Sequence, residues 1–185
     1  MVDNAALTGN WTLDPAHTRL GFSARHAMVT KVRGQFEEFE GTARVDAENP
    51  ANSHVEVTIQ AASINTRNKM RDDHLRTNDF LEIDKYPTLT FKSTNVERID
   101  DENVRITGDL TIKATTRQVA IDFEFGGSAV DPFGNTRMGW EGKTTINRQD
   151  YGVAFNAALE AGGVLVSDKV GIEIEISAIK DAEQA

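Results

Sequence analysis

The densest chemistry in the chain lies in MRDDHLRTNDF, Met70 to Phe80, where Arg71, Asp72, Asp73, His74 and Arg76 fall within six residues. Arg71 and His74 stand at i and i+3, so on a helix their side chains share one face. A planar guanidinium there suits a phosphate, because its fork bonds two oxygens at once. Asp72 and Asp73 are adjacent and point about 100° apart on a helix, so they do not form an acid/base pair by themselves. A plainer reading stands beside this one. The cluster can be a solvated helix with local Asp–Arg pairs, each contributing about 0.3–0.5 kcal/mol.

The four histidines, His17, His26, His54 and His74, are the other candidates. His26 lies on the apolar parity of a strand after Phe22, where a histidine is more often a satisfied core residue than a ligand. His17 follows a turn at Pro15, and His54 opens a strand. There is no HxH or HExxH spacing, and a metal site would need His17, His26 and His74 to meet by fold-back. No metal or other cofactor is expected. The absence of cysteine excludes disulfides and thiolate metal sites. With no GxSxG and no Ser/His/Asp ordering, nucleophilic catalysis has no support. No catalytic residue is assigned.

The elements that must carry these residues are mostly strands. Period-2 alternation of apolar and polar residues recurs around Leu20–His26, Ala43–Val45, Val55–Ala61, Leu89–Phe91, Val104–Ile112, Val119–Phe125, Met138–Ile146 and Val170–Ile176. These eight runs are punctuated by Gly, Pro, Asn and Asp, and the short links favour antiparallel neighbours. No βαβ rhythm appears. One apolar and one charged face per strand fits a closed barrel or a two-sheet sandwich. Gly108 and Gly142 fall at inward parity, which suggests a bend or a close approach.

Two segments break the pattern. In SINTRNKMRDDHLRTNDFLEIDKYP, Ser63, Asn65 and Thr66 are N-cap candidates and Pro87 is a limit. Met70, His74 and Leu75 fall on one side, and Phe80 and Leu81 follow as apolar anchors. The spacing predicts a short helix across one end of the sheet. The second segment, Asn156 to Asp168, has room for a helical turn before Gly162-Gly163.

The 185 residues make one domain, with residues 1–8 as an N-terminal tail, 181–185 as a polar C-terminal tail and 9–180 as the body. A net charge of −9 with no Lys/Arg run argues against nucleic acid as a partner. No apolar window is long enough to span a membrane as a helix. The N-terminus has neither a basic region nor an apolar stretch of the signal type, so a cytoplasmic location is expected.

At this level of detail the chain resembles the YceI-like family of lipid- and polyisoprenoid-binding proteins. SINTRNKMRDDHLRTNDFLEIDKYPTLTFKST carries the resemblance most sharply. WTLDPAHTRLGFSARHAM, VRGQFEEFEGTARV, GDLTIKATTRQVAIDFEF, INRQDYGV and VSDKVGIEIEIS extend it in order along most of the chain. Leu81 departs from it where a second aromatic is frequent. The resemblance implies an all-β fold, an eight-stranded antiparallel lipocalin-like barrel with one or two short helices.

Its implied function is non-catalytic binding, for carriage or storage, of a long-chain isoprenoid lipid, an isoprenoid quinone or a similar amphiphile. Phe22, His26, Val57, Ile59, Phe91, Ile106, Leu110, Ile121, Phe123, Trp140, Ile172 and Ile174 would line the lumen. His17, Arg71, His74 and Arg148 are the head-group candidates. In the competing structural reading, Arg71 and Arg148 pair with Asp72, Asp79 or Asp150 and fasten the helix. The resemblance also leaves room for a homodimer. Two alternatives differ in kind: an enzyme acting on a bound lipid with His26 or His74 as acid/base, and an interaction module whose interior is filled core.

Overall fold

The computed structural model describes residues 4–183. Its strands are β1 (Gly9–Leu13), β2 (Arg19–His26), β3 (Thr30–Phe36), β4 (Phe39–Val45), β5 (His54–Gln60), β6 (Ile64–Asn65), β7 (Thr88–Arg98), β8 (Asn103–Ile112), β9 (Thr115–Val130), β10 (Thr136–Asn147) and β11 (Lys169–Lys180). They form one antiparallel sheet in the order β1-β4-β5-β7-β8-β9-β10-β11-β2-β3-β6, which closes because β1 also pairs with β11.

The first six strands are broken staves. β11 pairs with β1 at Ala178–Lys180 and with β2 at Gly171–Glu175, so β1 and β2 run end to end along one edge. In the same way β3 continues into β4 and β5 into β6; β3 and β4 pair with β2 and β1 on one side and with β6 and β5 on the other. Counted as staves (β1 with β2, β3 with β4, β5 with β6, then β7 to β11), the barrel is eight-stranded. Closure removes the exposed edge that an open sheet of this size would carry.

The two inward glycines have a specific cause. A Cβ on Gly142 would lie 2.5 Å from the ring of its cross-strand partner Phe123. A Cβ on Gly108 would lie 2.5 Å from both the Phe91 ring and the Lys92 carbonyl oxygen. Glycine is therefore the seat on which each phenylalanine ring lies.

The helix α2 (Lys69–Leu75) forms as the spacing predicts, but it starts later than Ser63, Asn65 or Thr66. Arg67 takes a left-handed φ of 62°, and Asn68 becomes the N-cap, its side chain accepting from the Arg71 N–H at 2.9 Å. The buried face also differs. Asp72 is buried and Leu75 half-buried, whereas Met70 is 82% exposed. The cause is Thr66, whose N–H and hydroxyl both donate to Asp72 Oδ1, at 2.9 and 2.5 Å, turning that side inward.

Other helical structure lies at the N-terminus, where α1 (Asn4–Leu7) buries Leu7. The Trp11 indole donates to the Leu7 carbonyl at 2.9 Å, and Lys180 Nζ donates to the Ala6 carbonyl at 2.8 Å. At the other terminus Thr12 Oγ1 donates to Asp181 Oδ1 at 2.7 Å. The expected turn of helix within Asn156–Asp168 is absent. Gly162 and Gly163, both at positive φ, make a tight reversal there, and isolated bridges join Ala158 to Val164 and His26 to Val166.

Candidate functional site

The sheet encloses a cavity of about 290 Å³. Its wall is apolar along most of its length. Every residue expected at the lumen lines it except His26. Ile121 and Phe123 are buried, but Phe22, Val57, Ile59, Phe91, Ile106, Leu110, Trp140, Ile172 and Ile174 are only half-buried. Strand alternation turns these side chains inward, so the surface they retain faces the lumen. A filled core would leave the same residues buried.

His26 is exposed. Its parity is right, but β2 pairs with β11 only as far as Ser23 opposite Gly171. Ala24, Arg25 and His26 run on past the end of that wall, where the inner face of the strand has no lumen to meet.

The lumen ends beneath α2. Phe80, Leu89, Ile112, Ile146, Tyr151 and Val153 form one buried cluster there, and its members Phe80, Tyr151 and Val153 lie beyond the cavity wall. The rings of His74, Phe80 and Phe155 pack on one another at centroid distances of 5.0–5.3 Å. Burial pushes the Tyr151 phenol above its ordinary pKa, so it stays neutral.

None of the four head-group candidates lines the lumen. His17 is exposed, with Nδ1 2.7 Å from Asp14 Oδ2. His74 Nε2 lies 2.7 Å from Asp79 Oδ2. Arg71 donates from Nε to Thr66 Oγ1 at 2.7 Å and from Nη2 to the Thr66 carbonyl at 2.8 Å. Arg71 and Asp72 thus meet through Thr66 rather than directly. Arg148 is 5% exposed and donates to the carbonyls of Val153, Phe155, Val166 and Ser167 and to Asp168 Oδ1. Its charge partner is Asp168, while Asp150 pairs with Arg117. Burial pulls the Arg148 pKa below its ordinary value and Asp168 opposes that pull. Arg148 pins the segment 153–168 against the end of β10.

At the opposite end the lining turns polar. It is formed by Arg44 near the end of β4, by Asp46 and Ser53 from the β4–β5 connection and by Arg98, Asp100, Asp101, Glu102 and Asn103 from the β7–β8 hairpin. The sequence reading passed over these residues because they sit in turn-rich stretches, where charge is ordinary. The signal within reach was parity: Arg98 follows Val96 on the inward side of β7.

A YceI-like domain model matches residues 11–178. The chain belongs to the YceI-like family. Among curated relatives, UPF0312 protein SA2479 of Staphylococcus aureus (strain N315) is 39% identical over 165 residues, covering 89% of this chain and 94% of that protein. Solved structures superpose on this barrel along nearly its whole length. The Campylobacter jejuni YCEI protein has a TM-score of 0.73 at 32% identity, with 92% and 97% of the two chains covered. Burkholderia cenocepacia BcnA has a TM-score of 0.78 at 22% identity, covering 89% and 98%. A polyisoprenoid binding domain from Saccharophagus degradans has a TM-score of 0.71 at 14% identity, covering 92% and 98%. These last two likenesses bear on the fold alone. No helix among the described residues of this YceI-like chain is long and apolar enough to cross a membrane.

Proposed function

We propose that the protein binds the apolar chain of an isoprenoid lipid, an isoprenoid quinone or a similar amphiphile in the barrel lumen, non-covalently and without turnover. The observation that carries this reading is the set of inward apolar side chains left half-buried around a cavity of about 290 Å³. The Saccharophagus degradans neighbour, described as a polyisoprenoid binding domain, supports the same ligand class.

The volume sets a scale. A cavity of about 290 Å³ lies at the lower edge of ordinary ligand pockets, about 300–1,000 Å³, so it suits a segment of chain on the order of ten carbons better than a whole polyprenyl tail. Each buried methylene contributes about 0.8 kcal/mol, so ten give on the order of 8 kcal/mol before ordering and association are subtracted. An octaprenyl chain is much longer. It must spread the wall, as the half-buried side chains allow, or leave part of its length outside.

The placement of the titratable groups supports binding without turnover. His26 and His74, the acid/base candidates, are both outside the lining, and below its polar rim the lumen wall is apolar apart from the Thr144 hydroxyl and the Trp140 indole. Native mass spectrometry of freshly purified protein, followed by organic extraction, tests the reading. A lipid-sized mass adduct that disappears on extraction is expected. Lipid-free protein that also fails to take up added octaprenyl or quinone ligands would sink it.

A further inference from the structure

We infer that the protein docks on the surface of an anionic lipid bilayer through the β2–β3 hairpin, with Met28 and Val29 at the contact and Arg25, Lys31 and Arg33 around it. The docking is independent of what the lumen holds.

The hairpin tip is apolar where a turn is ordinarily polar. Ala27 and Met28 both take left-handed φ, 49° and 62°, and the Val29 N–H donates to the His26 carbonyl at 3.1 Å. A hairpin turn with two such residues favours Asn-Gly, because other side chains are strained there. Ala-Met accepts that strain and leaves Met28 64% and Val29 76% exposed. The tip is nonetheless held in place. The Ala27 N–H donates to the Leu165 carbonyl at 2.8 Å, and Arg25 Nη1 donates to the Val29 carbonyl at 3.2 Å. The adjoining strap extends the apolar surface with exposed Val164, and Gly163 leaves the space that Met28 Sδ occupies.

The charge around the tip says what it meets. The chain carries 29 acidic residues against 20 basic ones, but residues 15–36 hold Arg19, Arg25, Lys31 and Arg33 and no carboxylate. Arg25 stands directly opposite Lys31 in the β2–β3 register, and Arg33 follows at the same parity. A like-charged pair placed so is unfavourable in the free sheet, and an anionic partner relieves it. Carboxylates of the chain do little to cancel these cations. Arg25 and Arg33 have no ion pair among the described residues, and Lys31 reaches Glu173 only at 3.9 Å. The strap adds Glu160 and Asp168, of which Asp168 is matched by Arg148.

An apolar tip ringed by cations fits a surface that offers hydrocarbon beneath negative head groups. The protein's overall charge of −9 does not prevent this. Charges act over a Debye length, about 8 Å at physiological salt. β11 runs for about 40 Å from Lys169, at the tip end of the barrel, to Lys180. Asp100, Asp101, Glu102 and Asp131 lie toward its far end, so they are screened when the protein docks tip-first.

Co-sedimentation with vesicles tests this, using mixed phosphatidylglycerol–phosphatidylcholine vesicles and vesicles of phosphatidylcholine alone. The wild type should bind the anionic vesicles at least about fivefold more strongly, the effect of a single cation at a charged surface. Salt at about 1 M, where the Debye length is about 3 Å, should remove that preference. Lys31→Gln with Arg33→Gln should remove it too. The triple change Ala27→Asn, Met28→Gly and Val29→Ser gives the turn its favoured residues. Its melting temperature should hold or rise while binding to anionic vesicles falls at least fivefold. Val130→Ser with Phe133→Ser, which alters exposed apolar residues at the other end of the barrel, should change nothing. No binding to anionic vesicles, or equal binding to both kinds, overturns the inference. So does loss of binding in the Val130 and Phe133 variant but not in the tip variant. A wild-type dimer that the tip variant disperses, without vesicle binding, also overturns it, because a second copy then covers the tip. Lumen uptake is measured apart, by displacement of an apolar dye without vesicles, and its failure would remove the lumen reading and leave the docking standing.

Discussion

Arg71 reaches Thr66 and not a vacant site: its Nε and Nη2 close on the threonine hydroxyl and carbonyl, at 2.7 and 2.8 Å, while the same hydroxyl donates to buried Asp72. Arg71, Thr66 and Asp72 therefore act as one clasp between α2 and the strand before it. Asp72→Ala leaves the buried Thr66 N–H and hydroxyl without an acceptor and should cost about 2–3 kcal/mol. Arg71→Ala should cost about 1–2 kcal/mol. Urea denaturation measures both. Uptake of a ten-carbon quinone, measured well below the melting temperature, should be unchanged in each.

Arg148 is a stronger fastening of the same kind. Four backbone carbonyls of the strap accept from one buried guanidinium, and that of Val166 also accepts from Asn156 Nδ2 at 2.8 Å. Arg148→Met keeps much of the side chain's bulk but strands the carbonyls of Val153, Phe155 and Ser167, and should cost about 3 kcal/mol. Limited proteolysis should then cut first within 156–165. Arg148→Lys should rescue little, because a single ammonium cannot span carbonyls laid out for a fork.

The barrel was legible because its signal is local and repeated. Each of the eight alternating runs falls on one stave, and one-faced alternation places Phe22, Val57 or Ile174 inward without any knowledge of partners. His26 misled because parity says nothing about where a neighbouring strand stops. The head-group candidates misled for a related reason. Arg71 and Arg148 stand out as cations in a diagnostic stretch, but their partners are backbone carbonyls, or a threonine five residues back, and a backbone carbonyl leaves no mark in a sequence. Arg98 went unread because its partner is a loop carbonyl at Ala47, far off in the chain. Closure itself, with β11 shared between β1 and β2, is likewise non-local.

Acid should loosen the outer wall at one identifiable place. Arg137 donates from Nη1 to Asp14 Oδ2 and from Nε to Asp131 Oδ2, both at 2.6 Å. Arg137 first, then His17, lowers the Asp14 pKa from 3.8 to about 2. A carboxyl depressed on folding stabilises the native state above its unfolded pKa and loses that contribution as pH falls through the folded value. Asp14 should therefore contribute up to about 2 kcal/mol above pH 4, fading between pH 4 and 2. The stability difference between wild type and Asp14→Asn, followed by urea unfolding across that window, should shrink toward zero at pH 2. A difference that stays constant with pH would rule this out.

The seat beneath Phe123 makes a separate prediction. Gly142→Ala places a Cβ 2.5 Å from the ring and should cost about 1–3 kcal/mol as the phenylalanine is driven from its position. Phe123→Leu in the same chain should relieve part of that cost. In a double-mutant cycle the two changes should therefore be non-additive, with the double variant less damaged than the sum of the singles. Purely additive losses would mean that the glycine serves backbone freedom alone.

The wall of the lumen and its floor should respond oppositely to changes in bulk. Ile174 is half-buried in the lumen wall, whereas Ile112, at the lumen floor, belongs to the buried cluster under α2. Ile174→Phe adds volume where there is space for it, so stability should change by less than about 1 kcal/mol. The same change shortens the chain the lumen can hold. Native mass spectrometry with a series of alkyl quinones should show the preferred tail reduced by a few carbons. Ile112→Ala removes a packed side chain and should cost about 2–5 kcal/mol, with a preferred tail no shorter than in the wild type. If Ile174→Phe destabilised as much as Ile112→Ala and left the preferred tail unchanged, the lumen would be behaving as core. The proposal of a lipid-holding interior would then be lost.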